Sequence, residues 1–111
     1  MNEFNIQKLF VAWFRATYPG VILFAIPNGE KREPATAKRL KESGVLAGVP
    51  DLFIADGKPG LFIEMKDARG RLSAAQKEII PQLKESGYPV VVCHSYEEAK
   101  AAVLEYFTEL Y

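Results

Sequence analysis

The sequence predicts an α/β fold with eight elements in the order α-β-α-β-β-α-β-α. Three observations carry this reading. Apolar residues recur at helical spacing near both ends of the chain. Short β-branched and aromatic runs stand between turn signals. A capping sequence opens a helix ahead of the last strand. At 111 residues, 49% hydrophobic and 25% charged, the chain matches the size and composition of one globular domain over 1–111.

Ile6, Leu9, Phe10, Trp13 and Phe14 place a helix over 3–17. Phe4 and Val11 widen its apolar surface beyond one stripe, so the helix is buried on two sides or meets a partner chain. Tyr18-Pro19-Gly20 ends it, and the apolar run 21–26 predicts a buried strand. After the turn Pro27-Asn28-Gly29, Pro34 and Gly44 bracket a second helix over 34–43. Lys31, Arg32, Lys38, Arg39 and Lys41 cluster in this region. A glycine-bearing loop, 45–50, leads to two strands, 51–55 and 61–66, that pair as a hairpin around 56–60. Arg69-Gly70-Arg71 forms a loop. Ser73 with Gln76 three residues on matches a capping box for the next helix. Pro81 is expected to kink or interrupt that helix, and Gly87 to end it. A strand over 88–93 and a helix over 96–110 complete the order, the latter with Ala99, Ala102, Val103, Tyr106, Phe107 and Leu110 on one side.

Several function classes are disfavoured. No apolar run approaches the roughly 20 residues of a membrane span. The start Met-Asn-Glu-Phe-Asn lacks the basic segment of a secretory signal. Cys93 is the only cysteine, which excludes an internal disulfide and a multi-cysteine metal site and fits a reducing cytosol. The net charge is zero but unevenly spread. Residues 1–72 carry eleven Lys/Arg against eight Asp/Glu, +3, and residues 73–111 carry three against six, −3. A basic first part can meet phosphate while the acidic remainder faces away.

The chemistry concentrates at Pro50-Asp51 and at Glu64-Met65-Lys66, each beside an apolar run. Charged groups near a core pair with each other or bind metal. Alternation along a strand puts Glu64 and Lys66 on one face and Met65 on the other, and the hairpin brings Asp51 beside Glu64. Two adjacent carboxylates repel unless a cation lies between them. An oxygen-only set suits Mg²⁺ or Mn²⁺ rather than zinc. Such an ion can acidify water and neutralise a phosphodiester, with Lys66 orienting the water or stabilising the transition state. The competing reading is a surface hairpin with a solvated Glu-Lys pair.

Taken in order, a longer set of motifs is more specific. It comprises Glu3-x-x-x-Gln7, Ile26-Pro27-Asn28-Gly29, Lys31-Arg32, and Gly44-Val45-x-x-Gly48-Val49-Pro50-Asp51-Leu52. It continues with Phe62-Ile63-Glu64-Met65-Lys66, Gly70-Arg71-Leu72-Ser73-x-x-Gln76 and Leu83-x-x-x-Gly87-Tyr88. With these residues the chain resembles a minimal VRR-NUC domain, a branch of the PD-(D/E)xK nucleases. The resemblance implies a restriction-endonuclease-like αβββαβ core, a mixed central sheet flanked by helices. An extra helix would follow the first strand and another would end the chain. It also implies that Asp51, Glu64, the Met65 carbonyl and Glu3 bind the metal, that Lys66 is the catalytic lysine, and that Gln76 acts near the metal or the scissile phosphate. Glu30 departs from the pattern, because relatives often have a second glycine there.

Each residue also has a plainer reading. Glu3 suits the first turn of a helix by its charge alone, and Gln76 is the capping partner of Ser73. Gln7 is either solvated or holds Glu3. Lys31, Arg32, Lys38 and Arg39 either form a solvated face or contact DNA phosphates, and Arg69 and Arg71 can do the same. His94 reads as structural, Trp13 and Tyr106-Phe107 as core or interface, and Cys93 as an inert buried thiol.

The resemblance implies a metal-dependent deoxyribonuclease that leaves 5′-phosphate and 3′-hydroxyl ends. Stand-alone members of this size resemble phage or prophage proteins, acting in a bacterial cytoplasm, and Holliday-junction resolvases. Symmetric cutting of branched DNA needs two sites, which a homodimer supplies, with the first helix, and the last, as candidate interface. The alternatives are a nicking, flap or general duplex endonuclease, a catalytically silent DNA-binding module, and an α/β interaction protein without a nucleic-acid role.

Overall fold

The computed structural model describes residues 1–27 and 33–110, with side chains through 109. The elements follow the predicted order: α1 (Glu3–Thr17), β1 (Ile22–Ala25), α2 (Pro34–Glu42), β2 (Leu52–Ala55), β3 (Leu61–Met65), α3 (Ala74–Glu85), β4 (Val90–Cys93) and α4 (Tyr96–Leu110). The sheet order is β1-β2-β3-β4. β1 pairs antiparallel with β2, β2 antiparallel with β3, and β3 parallel with β4. The sheet is therefore mixed, as expected. The parallel pair needs a long crossover, and α3 provides it.

The register sorts side chains onto two faces. Leu23, Leu52, Ile54, Leu61, Ile63, Met65 and Cys93 share one face. They form one core with Ile6, Phe10 and Phe14 of α1 and Ala99, Val103 and Tyr106 of α4. The Cys93 thiol is buried there, and burial, followed by the Glu98 charge, pushes its pKa up to about 11. The wide apolar surface of α1 is partly explained within the chain. Tyr18 stacks on Phe107 at 4.6 Å between ring centroids, and Phe14 lies 6.4 Å from the same ring. Trp13 packs beside Phe10 and Tyr18 under the Lys100 ammonium. Phe4 and Leu9 of α1 and Leu104 of α4 remain exposed.

Three expectations are corrected. β1 is not a buried strand: only Leu23 is buried, while Ile22 and Phe24 are 65% and 45% exposed. β1 is an edge strand, and α3 packs on β4 at the opposite edge, away from the second face of β1. Pro81 does not interrupt α3, which runs unbroken through it. Proline removes one main-chain donor, but Pro81 and Lys77 both face solvent, where water can serve the carbonyl left over. The last strand is also shorter than predicted. Tyr88 donates its N–H to the Leu83 carbonyl at 3.1 Å and so belongs to the end of α3.

The second face carries an aromatic row, Phe24, Phe53, Phe62 and Tyr88, with successive centroids 5.8, 4.5 and 5.8 Å apart. Glu64 stands on this face near the end of β3, beneath the start of α3. At the far end of the hairpin, the Tyr106 hydroxyl of α4 accepts the Gly60 N–H at 3.0 Å. It also lies 2.8 Å from Asp56 Oδ1 and 3.0 Å from the Lys58 carbonyl.

Candidate functional site

Three elements deliver three carboxylates to one place. Asp51 immediately precedes β2, Glu64 lies one residue from the end of β3, and Glu3 lies in the first turn of α1. One oxygen from each lies within 4.8 Å of the other two. Asn2 starts α1 by accepting the Asn5 N–H at 2.8 Å, which fixes the helix phase at Glu3. Asp51 is held by the chain opposite: its Oδ2 accepts the Met65 N–H at 2.9 Å. Its own carbonyl accepts the Ile26 N–H at 2.7 Å, tying the end of β1 to the site.

The loop before Asp51 is locked by a close approach. Gly48 is buried, with φ at 95°, and a Cβ there would overlap the Ala75 carbonyl and the Ile79 side chain. Only glycine satisfies both demands. The loop carrying Pro50-Asp51 is thereby pressed against the first two turns of α3.

Glu64 is 1% exposed, although it is a carboxylate. Its Oε2 accepts the Gln76 Nε2 at 2.8 Å and meets Lys66 Nζ at 3.3 Å. Its Oε1 is buried without a hydrogen-bond partner among the described residues. Burial, then repulsion from Asp51, pushes the Glu64 pKa up to about 7, against the pull of Lys66. Burial also raises Asp51, opposed by the Met65 amide and the Lys66 charge. Burial thus disfavours the charged form of both carboxylates, and a cation between them would favour it.

Gln76 is the capping partner of Ser73 and also reaches Glu64. Its amide oxygen accepts the Ser73 N–H at 2.8 Å, and its own backbone N–H donates to Ser73 Oγ at 3.1 Å, completing the capping box. Its Nε2 remains for Glu64. Met65 buries its side chain in the core on the other face and touches the site through its backbone.

The basic residues are less concentrated. Lys38 and Arg39 lie on α2, which has no buried residue, and Lys38 pairs loosely with Glu42 at 3.8 Å. Arg69 and Arg71 are exposed on the loop after Lys66. Lys31, Arg32 and the Asn28-Gly29 turn lie outside the described residues. Gln7 lines a groove of about 510 Å³ between α1 and β1, beside Phe4 and Lys8. The depth at which Glu64 is buried and the contact that requires Gly48 have no local pattern in the sequence. The only sequence signal for Gly48 was its place in Gly-Val-Pro-Asp.

The donor set fits a hard divalent cation. It offers carboxylate oxygens from three residues, and one of these residues, Glu64, has a buried oxygen without a hydrogen-bond partner among the described residues. The model of the VRR-NUC domain matches residues 2–97. The chain belongs to the VRR-NUC domain family. A solved structure described as a VRR_NUC domain protein superposes with a TM-score of 0.76 at 26% identity, covering 97% of this chain and 89% of that one. A second, described as a VRR_NUC domain, gives 0.64 at 21% identity, covering 94% and 96%, and shows the shared fold. No curated protein matches the chain. The VRR-NUC assignment makes this a nuclease-type domain with DNA as its substrate class, and the mixed sheet flanked by helices is its nuclease-like fold.

Proposed function

We propose that the chain is a Mg²⁺- or Mn²⁺-dependent DNA endonuclease that cuts branched DNA as a homodimer. The observation that carries the metal dependence is the buried Oε1 of Glu64, without a hydrogen-bond partner among the described residues, on a carboxylate grouped with those of Asp51 and Glu3. Leaving such an atom unsatisfied costs about 1–3 kcal/mol, a cost that a cation removes.

In this reading Glu3, Asp51, Glu64 and the Met65 carbonyl hold the metal. When bound, the cation neutralises charge on the phosphodiester and acidifies water. The chain's own groups do the rest. The Met65 N–H holds Asp51 in place. Gln76 holds Oε2 of Glu64, which leaves Oε1 for the metal. Lys66, beside Glu64, orients the attacking water and stabilises charge developing on the phosphoryl oxygens. Cleavage leaves a 5′-phosphate and a 3′-hydroxyl. Lys38, Arg39, Arg69 and Arg71, together with Lys31 and Arg32, supply phosphate contacts that position DNA without reading its sequence. Exposed Phe4, Leu9 and Leu104 are the apolar surface available to a second copy.

The test is cleavage of a labelled four-way junction and a matched linear duplex with Mg²⁺ or Mn²⁺, beside Lys66→Ala. Paired symmetric cuts in the junction alone, lost in the variant, support the proposal. Cutting of both substrates points to a general or nicking enzyme. Binding without cutting favours a silent DNA-binding module. A strictly monomeric state at micromolar concentration, by light scattering, would remove the dimer.

A further inference from the structure

His94 lies outside the carboxylate cluster, yet it is tied to the turn that packs on Lys66. Directly after Lys66 the chain folds tightly. The Gly70 N–H donates to the Asp67 carbonyl at 3.1 Å, and the Arg69 N–H to Asp67 Oδ1 at 2.9 Å. The turn bends back over the lysine. A Cβ added to Gly70 would stand 3.0 Å from Lys66 Cβ and 3.2 Å from its Cδ. Gly70 therefore touches the lysine's aliphatic stem, and a larger residue would push the two apart.

His94, the first residue beyond β4, closes the arrangement. Its Nε2 lies 3.1 Å from the Gly70 carbonyl. A carbonyl can only accept, so Nε2 carries the proton and donates. The strand ends are also joined directly, by the Lys66 N–H to the Cys93 carbonyl at 2.8 Å. His94 and Lys66 thus leave neighbouring parallel strands, and the 67–70 turn is held between them.

Lysine needs such help. Its stem has four rotatable carbons and carries about 2 kcal/mol of rotamer entropy. The contact from Nζ to Glu64 is 3.3 Å, longer than the roughly 2.7–2.9 Å of a strong charge-assisted bond. The ammonium is therefore placed largely by what packs on its stem, and the side chain is only 12% exposed.

We propose that His94 is a positioning residue for Lys66: by holding the Gly70 carbonyl it keeps the 67–70 turn against the stem and so sets where the ammonium stands. The proposal rests on the reading of Lys66 as a participant in cleavage. The hydrogen bond of the histidine goes to the Gly70 carbonyl, and its role is exerted through Lys66.

The test pairs His94→Phe, which keeps a ring but loses the donor, with His94→Gln, whose amide restores a donor at similar reach. Two readouts are taken: steady-state cleavage with Mn²⁺, and the NMR resonance of the Lys66 ε-methylene in lysine-labelled protein, assigned with Lys66→Arg. In His94→Phe, kcat is expected to fall about tenfold with KM for DNA unchanged, since small misplacements cost rate rather than binding. The Lys66 signal should move toward that of a freely rotating lysine. His94→Gln should restore both. Unchanged kcat and an unchanged Lys66 signal in His94→Phe would overturn the proposal, as would equal losses in both variants. If the wild type cuts none of the DNA substrates, the nuclease reading fails separately, and the Lys66 signal alone decides the role of His94. If His94→Phe does not fold, His94→Asn, too short to reach Gly70, takes its place in the comparison.

Discussion

The carboxylate site has two halves built in different ways. The inner half, Asp51, Glu64, Lys66 and Gln76, stands on strand ends and a helix cap, with Glu64 fully buried and each group held by a neighbour. The outer half is Glu3, in the exposed first turn of α1. The inner half bears a standing energetic cost, since buried Glu64, beside half-buried Asp51, is costly to ionise. The outer half bears almost none. Changes inside should therefore appear in stability and in metal response together, whereas changes outside should appear only when a ligand is present.

The largest expected effect is Gly48→Ala. It combines a positive φ with overlap against the backbone of α3, and it should cost at least about 4 kcal/mol by urea unfolding. A loss below about 1 kcal/mol would mean that the inner half is not rigid.

Second is the pH dependence of the metal-free protein. Glu64 titrates at about 7 in the folded chain, above its ordinary 4.5. Below pH 4.5 both folded and unfolded states hold the proton, and the contribution to stability is complete. Between about 4.5 and 7 the unfolded chain loses its proton first, so stability falls with rising pH, by on the order of 3 kcal/mol. Glu64→Gln should flatten this slope. Mn²⁺ should reverse it, because the ion favours the charged form, and its stabilisation should grow from pH 6 to 8 in thermal melts. A metal-free chain whose stability rises over that window would contradict the burial argument.

Third, Gln76→Ala should destabilise the chain by about 2 kcal/mol at pH 8, through the lost cap and the lost donor to Glu64. Ser73→Ala should cost only about 1 kcal/mol, since it spares the Glu64 contact. Equal losses would mean that Gln76 is only a cap.

The smallest effect is Glu3→Gln. Metal-free stability should stay within about 0.5 kcal/mol, while Mn²⁺ affinity, by calorimetry, drops severalfold. A stability loss like that of Gln76→Ala would erase the distinction between the halves.

What the sequence made legible follows from local rules. Periodicity marks α1 and α4, Ser73 and Gln76 mark the start of α3, and charged residues against apolar strands mark Asp51, Glu64 and Lys66. What it hid depends on what covers each surface. The run 21–26 reads the same whether central or at an edge, so the exposure of Ile22 and Phe24 could not be read from it. Pro81 breaks helices by a local rule, but tertiary placement on the solvent side blunts that rule. For Gln76 the sequence showed the cap, while its hydrogen bond to Glu64 spans 12 residues and has no local signature. The His94 contact spans 24 residues and the Tyr106 contacts 46 or more, and no local pattern announces either.

The knot around the Tyr106 hydroxyl gives the appended helix a purpose. The β2–β3 ribbon works as a lever, with Asp51 and Glu64 at one end and the Gly60 turn, pinned by α4, at the other. Strand side chains alternate, so sliding one strand by a single residue would send Glu64 into the apolar core and turn Met65 toward the carboxylates. By gripping the turn, α4 acts as a latch against that slip and protects the alignment on which the site at the opposite end depends.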